Sequence, residues 1–342
     1  MGSIVAIGVD THRDTHVAVA LDGVGGRLGS LEITTDAAGY TRLWQWASGL
    51  EGEPGFAIEG TGSYGAGLTA FLAAAGASVF ECERPRRRDR GRGKSDLIDA
   101  EAAAKRLLSG ERLARPRAGC GVREDLRALL TQRQSAVAAR TVALNQLHGL
   151  AVTLPDRLRG RLRNLTRMRL ADAALRLRAH PGESADIVSV LRGIGRRSRQ
   201  LTAEIESVDR RLEQITAELV PELRAEVGVG PVCAAQLVVS SGDPTRMKSE
   251  ASFAALAGTS PVQASSGLIQ RHRLNRGGDR QLNRALHVIA LNRIRWHPET
   301  RAYQQRLLDS GKTPREARRC VKRTLASRYY HHLKENGALL TP

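Results

Sequence analysis

The sequence predicts an α/β domain at the N-terminus, followed by an all-α remainder. Residues 1–115 alternate short apolar runs with helical patterns, which is typical of a sheet covered by helices. Residues 120–220 are rich in Leu, Ala and Arg and show a long helical periodicity. Residues 221–342 combine helical patterns with glycine-containing turns. We therefore predict three domains with these bounds.

The α/β domain begins with a strand over residues 4–10. This run is apolar and contains Ile4, Val5, Ile7 and Val9, which is typical of a strand buried at the centre of a sheet. The later elements are read from alternation, helical spacing and turn residues. They are strands 15–21 and 28–34, helix 37–47, strand 56–58, helix 64–75, strand 78–81 and a helix that opens at about residue 96.

Four carboxylates stand where such a domain would bring them together. Asp10 ends the first strand and Glu59 ends the fourth, so parallel neighbouring strands would carry both to one edge. Asp96 and Asp99 are three residues apart and share a helical face. Each acid alone also fits an ordinary turn, capping or solvated position. Because crowded like charges repel unless a cation neutralises them, the set predicts a divalent metal site, with a Mg2+ pair favoured.

Charge indicates a polyanionic partner. The 342 residues include 53 Lys and Arg against 35 Asp and Glu, a formal net charge of +18. Nucleic acid is favoured over a membrane surface, since no apolar run reaches the length of a spanning helix. Without a secretory pattern at the N-terminus, we expect a cytoplasmic protein. The four cysteines show no paired spacing, which argues against a zinc ribbon or a disulfide scaffold.

Two basic stretches are candidate nucleic-acid contacts. The first precedes the helix of Asp96 and fits either a solvated charge run or, as we favour, a phosphate clamp. Its candidate residues are Arg86, Arg87, Arg88, Arg90, Arg92 and Lys94. The second follows a serine-containing loop. Its candidate residues are Arg271, Arg273, Arg276 and Arg280.

Helices of the middle region are predicted to pack as an antiparallel coiled coil broken at Pro155. Its arginines could line a nucleic-acid duplex, or the arm could serve dimerisation, and the sequence leaves both open. The stretch 227–231 resembles the hairpin of a helix-hairpin-helix module, whose amides can meet a phosphate. An ordinary helical turn is the alternative.

The serine loop holds Ser265 and Ser266 directly before Gly267. A serine hydroxyl is a weak nucleophile, and attack on phosphate needs neighbouring cations or a metal. The following arginines could supply them, although a Ser-Gly pair alone is uninformative. His272 could bind phosphate, donate a proton or be merely exposed. His12 and His16 are unassigned, because on an extended segment they lie too far apart to share an ion.

In combination these features resemble the insertion-sequence-110 family of transposases. The resemblance covers nearly the whole chain in a specific order. It rests on the four acids, the Lys94-Ser95-Asp96 context, the helical middle, the Gly-Val-Gly-Pro turn and the Ser-Ser-Gly loop before Arg-Gly-Gly.

The resemblance implies a site-specific DNA recombinase. Its parts would be an RNase H-like (RuvC-like) DEDD domain, a coiled-coil arm and a C-terminal transposase domain. By that resemblance Asp10, Glu59, Asp96 and Asp99 hold Mg2+, and Ser266, or failing that Ser265, attacks DNA to form a phosphoserine intermediate. Such an intermediate conserves the bond energy of the broken strand. The family also implies a guide RNA that pairs with donor and target DNA. It implies a tetramer, a dimer of dimers, with one subunit's metal site beside another's serine.

Two rival functions remain open at this point. The first is a metal-dependent nuclease of the Holliday-junction-resolvase kind, in which the acids activate water and the serine loop is structural. The second is a non-catalytic nucleic-acid-binding protein in which the basic arm and the hairpin act and the acids only pack. Replacing the two serines or Asp10 distinguishes these functions from the recombinase.

Overall fold

The computed structural model describes residues 4–82, 95–110, 113–116, 121–242, 249–263, 272–273, 275 and 277–335, with the backbone alone at 272–273. The chain divides into two compact units, Met1–Gly121 and Val122–Pro342. The division into three domains stays a prediction.

The described residues of the first unit form five strands and three helices in the predicted order. They are β1 (Ile4–Thr11), β2 (Thr15–Leu21), β3 (Arg27–Thr34), α1 (Ala37–Ser48), β4 (Glu53–Glu59), α2 (Ala66–Ala74), β5 (Ser78–Cys82) and α3 (Asp96–Leu108). The fourth strand begins three residues earlier than predicted, because Pro54 and Gly55 continue its pairing with β1.

The five strands form one sheet in the order β3-β2-β1-β4-β5. Strand β1 runs antiparallel to β2 and parallel to β4, and β4 is parallel to β5. The predicted parallel pairing of the first and fourth strands is therefore confirmed. Because β1 has a neighbour on each side, it is buried along almost its whole length.

Helices cover both faces of the sheet, so the alternating residues of β1 enter two different cores. Val5, Ile7 and Val9 pack with Phe56 and Ile58 against α1 and α2. On the other face, Ala6 packs against Ala100 and Ala104 of α3. A mixed α/β arrangement of this first unit is thus established.

The described residues of the second unit are almost entirely helical. The helices are α4 (Val122–Val152), α5 (Asp156–Leu162), α6 (Arg167–Leu175), α7 (Ala185–Leu219), α8 (Pro221–Ala225), α9 (Pro231–Ser241), α10 (Glu250–Leu256), α11 (Arg280–Trp296), α12 (Pro298–Asp309) and α13 (Pro314–Glu335). A two-residue hairpin, β6 (Val262–Gln263) with β7 (His272–Arg273), lies between α10 and α11.

Two long helices, α4 and α7, dominate the middle region and run antiparallel. Arg133 contacts Asp209 with 2.5 Å between Nε and Oδ1, and Arg140 donates to the Thr202 hydroxyl at 3.4 Å. The residue numbers of the α7 partners therefore fall as those on α4 rise, as expected for antiparallel helices. Helix α4 ends at Val152, just before the predicted break at Pro155.

The glycine-rich turn at 227–231 joins α8 to α9 and packs against α11. Gly228 has a φ of +87°, and a Cβ there would lie 3.2 Å from the carbonyl oxygen of Ile289. Arg224 donates to the Val229 carbonyl at 2.6 Å, and Arg293 donates to the Val227 carbonyl at 3.3 Å. The described contacts of this turn are internal to the unit, and phosphate binding by it stays a prediction.

Candidate metal centre and serine segment

Asp10 owes its position to the close approach of α3 to β1. A Cβ on Gly8 would lie 1.9 Å from the Ala100 carbonyl oxygen and 2.4 Å from the Ala104 nitrogen, so only glycine allows this packing. Asp10 is two residues further along β1 and therefore on the same face of the sheet. It is 4% exposed, although it is a carboxylate.

Strand pairing and a hydrogen bond hold the ends of β1 and β4 together next to Asp10. Val9 is paired with Ile58, which makes Asp10 and Glu59 the next positions on neighbouring parallel strands. The Thr11 hydroxyl donates to the Glu59 backbone carbonyl at 2.7 Å. Gly60 then turns the chain away with a φ of +69°. The sheet therefore brings the first two predicted acids to one edge.

Helix α3 carries the other two predicted acids in its first turn. Asp96 is one turn before Ala100, which packs with the β1 face. Asp99 is one turn before Ala103, which packs with Ala57 of β4. Each acid thus continues a stripe of small residues that faces one of the two strands.

Three side chains converge between β1 and α3. The His12 Nε2 lies 3.3 Å from Oδ2 of Asp10 and 3.2 Å from Oδ1 of Asp96. One ligand atom of each residue lies within 4.8 Å of the other two. Asp10 is buried, whereas the side chains of His12 and Asp96 are 41% and 48% exposed. The group therefore opens to solvent on one side.

These donors fit a divalent cation. Ligands of an octahedral Mg2+, at about 2.1 Å from the ion, are about 3.0 Å apart when adjacent and about 4.2 Å apart when opposite. The 3.2–3.3 Å between His12 Nε2 and the two carboxylates falls within this range. Two carboxylates and one imidazole also suit Mn2+, because nitrogen ligands favour later divalent metals. Glu59 and Asp99 stand outside this group of three, and both lie on the elements that surround it.

His12 is the site residue that the sequence did not assign. The expectation of an extended segment is wrong at this point, because residues 12–15 form a tight connection in which the His12 amide donates to the Thr15 carbonyl at 3.0 Å. The connection turns the imidazole back toward Asp10. The available signal was the Asp-Thr-His sequence at the end of a buried strand.

His16 lies in β2 and belongs to the packing of the unit. It is fully buried and stacks on Tyr40, with 6.1 Å between the ring centroids. Burial lowers the pKa of His16 below its ordinary value, and the bond to the Thr15 carbonyl offsets only part of this effect. The imidazole is therefore suited to a neutral packing role.

The serine segment, residues 259–277, contains Ser265 and Ser266, and the residues at its two ends are held together in the second unit. Gly258 has a φ of +62°, and a Cβ on Gly278 would lie 2.3 Å from the Gly258 nitrogen. The Asp279 amide donates to the Leu256 carbonyl at 2.7 Å, and its carboxylate caps α11 and accepts from the Ser240 hydroxyl at 2.6 Å. The Gly-Gly-Asp tract is therefore a structural anchor for this segment.

Most of the loop residues that were predicted to act in catalysis or to contact nucleic acid lie outside the described residues. They are Ser265, Ser266, Arg271, Arg276 and the stretch from Arg86 to Lys94, together with the side chains of His272 and Arg273. Arg280 is the exception, and its exposed side chain stands in the first turn of α11.

Both halves of the chain match known transposase families. Residues 7–155 match the DEDD IS110 model, described as a transposase, and residues 221–305 match the model described as the transposase IS116/IS110/IS902 family. The chain belongs to the IS110 family of transposases. The first match includes the three converging residues, and the second includes the anchors of the serine segment.

Two relatives extend this assignment along the chain. An insertion element IS900 protein of 42 kDa from Mycobacterium paratuberculosis is 27% identical over 93% of this chain and 92% of its own length. An insertion element IS110 protein of 43.6 kDa from Streptomyces coelicolor is 39% identical over 100 residues. That match spans 29% of this chain and only 25% of the relative.

Membership of this transposase family implies an enzyme that cleaves and rejoins DNA. In the part of the chain that the structure describes, no helix has both the length and the apolar character needed to cross a membrane.

Proposed function

We propose that this IS110-family transposase is a DNA recombinase that cleaves and rejoins strands through a serine–phosphate intermediate, assisted by a divalent metal centre. One observation carries the proposal. In a chain with transposase matches in both halves, Asp10, His12 and Asp96 bring their ligand atoms together. Residues 86 positions apart gain such a juxtaposition only through the fold.

In this proposal Asp10, His12 and Asp96 hold one cation, and Glu59 and Asp99 complete the centre. The register beside Asp10 supports the role of Glu59, and the helical stripe through Ala103 supports that of Asp99. A bound Mg2+ would stabilise the negative charge that develops on a reacting phosphate. The buried carboxylate of Asp10 would fix the cation relative to the sheet.

Ser266 is the proposed nucleophile, with Ser265 as the second choice. Its Oγ forms a bond to phosphorus as the ester bond of the DNA strand breaks, and the serine proton ends on the released sugar hydroxyl. Attack by a sugar hydroxyl of another strand reverses these changes and frees the serine. One phosphoester replaces another at each step, so no external energy source is required.

A guide RNA and a tetrameric assembly are further parts of this proposal. The net charge of +18 supports binding of more than one polyanion. The arginines of the α5–α6 region are part of this charge, and they include Arg157, Arg159, Arg163 and Arg169. Copurification of a discrete RNA encoded beside the gene tests RNA guidance, and light scattering of the complex tests the tetramer.

The serine chemistry is tested by four variants of the full chain, namely S266A, S265A, the double variant and the control S260A. We expect the double variant to lose strand cleavage by about 10⁴-fold or more, as when other nucleophiles are removed. A denaturing gel with labelled element DNA measures both cleavage and the covalent protein–DNA adduct. S266A should match the double variant, and S260A should match the wild type.

The same assay separates the rival functions. Cleavage without an adduct in the double serine variant would identify a metal-dependent nuclease that activates water. Asp10→Asn should abolish cleavage while DNA binding persists, because the variant removes one negative ligand and leaves the basic surfaces unchanged. A wild-type chain that binds DNA and never cuts it would leave only the non-catalytic binding protein.

A further inference from the structure

A cluster of positive side chains lies between α11 and α13, away from the acidic centre of the first unit. Asn283 and His287 are one turn apart on α11, and Arg318 and Lys322 are one turn apart on α13. Lys322 is only 8% exposed, and its Nζ donates to Oδ1 of Asn283 at 2.5 Å.

Among the described residues, no carboxylate forms an ion pair with this cluster. The Nε of Arg318 is buried and has no hydrogen-bond partner within the described part of the chain. By contrast, the adjacent Arg319 and Arg323 pair with Glu316 and Glu250. Burying a cation without a counter-ion costs free energy, so binding an anion would stabilise this cluster.

The electrostatic interactions within the cluster also favour the binding of an anion. Burial, and then the charge of Arg318, lower the pKa of Lys322. Burial, followed by the charges of Lys322 and Arg318, likewise lowers the pKa of His287. Positive groups therefore act on one another here, and a bound anion would relieve their repulsion.

The cluster is tied directly to the base of the serine segment. Nδ2 of Asn283 donates to the Ala257 carbonyl at 2.6 Å and to the Gly258 carbonyl at 3.3 Å. Gly258 in turn contacts Gly278 at the other end of the segment. Residues 264–276 contain three arginines and no Asp or Glu, so this sequence brings no counter-charge of its own.

We propose that Arg318, Lys322 and His287 bind a phosphodiester of the DNA strand on which the serine segment acts. The choice of DNA rests on the proposed function. The choice of phosphate rests on cations that no carboxylate among the described residues neutralises. Arg318 offers a planar fork for two phosphate oxygens, Lys322 a concentrated charge and His287 a ring N–H. Asn283 positions Lys322 relative to the segment.

The test compares R318Q and K322Q with R319Q in the full chain. R319Q removes one positive charge from the next position on α13, where the guanidinium pairs with Glu316. Binding of a fluorescent DNA duplex is measured by anisotropy over a series of salt concentrations. A second arm uses RNA of the same sequence, and circular dichroism checks that each variant is folded.

We expect R318Q and K322Q to weaken DNA binding about tenfold, as for loss of a hydrogen bond to a charged group. Each should also reduce the slope of log affinity against log salt by about 0.9, the value for one duplex phosphate contact. R319Q should change affinity less than about twofold, as expected for an exposed ion pair. If K322Q does not fold, R318Q alone carries the test.

Three outcomes would overturn the inference: equal weakening by all three variants, no weakening by R318Q, or weakening confined to RNA. The proposed function fails separately. If the wild type forms no serine adduct but R318Q still lowers the DNA salt slope, the phosphate site stands without the serine chemistry. If adducts form but R318Q binds DNA like R319Q, the recombinase stands without this phosphate site.

Discussion

At the scale of single residues, His12 alters the chemistry expected of the acidic centre. Four acids alone would be a set of oxygen ligands suited to Mg2+. The imidazole lies 3.2–3.3 Å from two of the carboxylates, which adds a nitrogen donor to the group. Because nitrogen ligands favour Mn2+ and later metals, His12 should shift the metal preference of the centre.

Replacing His12 by Asn tests this ligand role. The amide offers an oxygen in place of the ring nitrogen, so we expect Mn2+ affinity to fall by about tenfold or more, with a smaller change for Mg2+. Isothermal titration of each metal into the full chain measures both affinities. The control is H148N, at an exposed position on α4. Unchanged Mn2+ binding in H12N would show that His12 is not a ligand.

Glu226 is a second residue whose environment has a measurable consequence. Its side chain is 11% exposed and accepts from Arg293 at 2.8 Å and from Nε of Arg328 at 2.9 Å. Burial raises the pKa of Glu226, but the two guanidinium groups outweigh burial and hold the pKa below its ordinary value. The carboxylate therefore stabilises the second unit when it is ionised.

We expect Glu226→Gln to lower the free energy of unfolding by about 3–5 kcal/mol at pH 7, because it leaves the buried charge of Arg293 without its carboxylate partner. The wild type has this stabilisation above the ordinary pKa of a glutamate and loses it as the pH falls through the lowered pKa. The difference from the variant should therefore shrink in acid. Urea unfolding at pH 7 and at about pH 3 measures it. The exposed Glu222 supplies the control E222Q, which should differ little from the wild type at either pH.

At the scale of elements, the packing of α3 on β1 creates the candidate metal centre. Small residues at the contact let the helix lie almost on the strand backbone: Gly8 on β1, with Ala100 and Ala104 on α3. This close approach brings Asp96, one turn earlier, to Asp10 and His12. A larger residue at the contact would separate the acids without changing any of them.

Gly8→Ala tests the dependence of the centre on this packing. The added methyl would lie 1.9 Å from a backbone oxygen, so α3 must move away, at a cost of about 1–3 kcal/mol in unfolding free energy. We expect metal affinity to fall as well, because Asp96 moves with the helix. The control is G62A, since a Cβ on Gly62 meets nothing within 4 Å. Wild-type metal binding by G8A would contradict the proposed dependence.

At the scale of the whole molecule, each unit has hydrophobic cores of its own. The first unit is built around the two faces of its sheet. The second has one core among α4, α7, α9, α11 and α13 and another where α5 and α6 pack against the ends of α4 and α7. The candidate metal ligands belong to the first unit and the buried Glu226 network to the second.

This separation predicts two calorimetric unfolding transitions with different sensitivities. Mn2+ should raise the midpoint of only the transition that G8A lowers, because ligand binding stabilises the unit that holds the site. E226Q should lower only the other midpoint. Differential scanning calorimetry of the full chain with and without Mn2+ measures both. A single transition that responds to every change would contradict the prediction.

The sequence by itself determined the order of elements in the first unit. It also placed Asp10 and Glu59 at strand ends, which meet at one edge when the two strands are parallel neighbours. Local signals sufficed, because periodicity, β-branched runs and turn residues are encoded over a few neighbouring positions. The family resemblance also followed from motifs read along the chain.

Only the tertiary structure decided that His12 joins Asp10 and Asp96, and that Lys322 is buried against Asn283, 39 residues away. The first contact depends on a tight turn and on a glycine that admits α3, and the second on how α11 packs against α13. Periodicity tells which face of an element is buried. It does not tell which distant side chain lies opposite, because that is set by packing between elements.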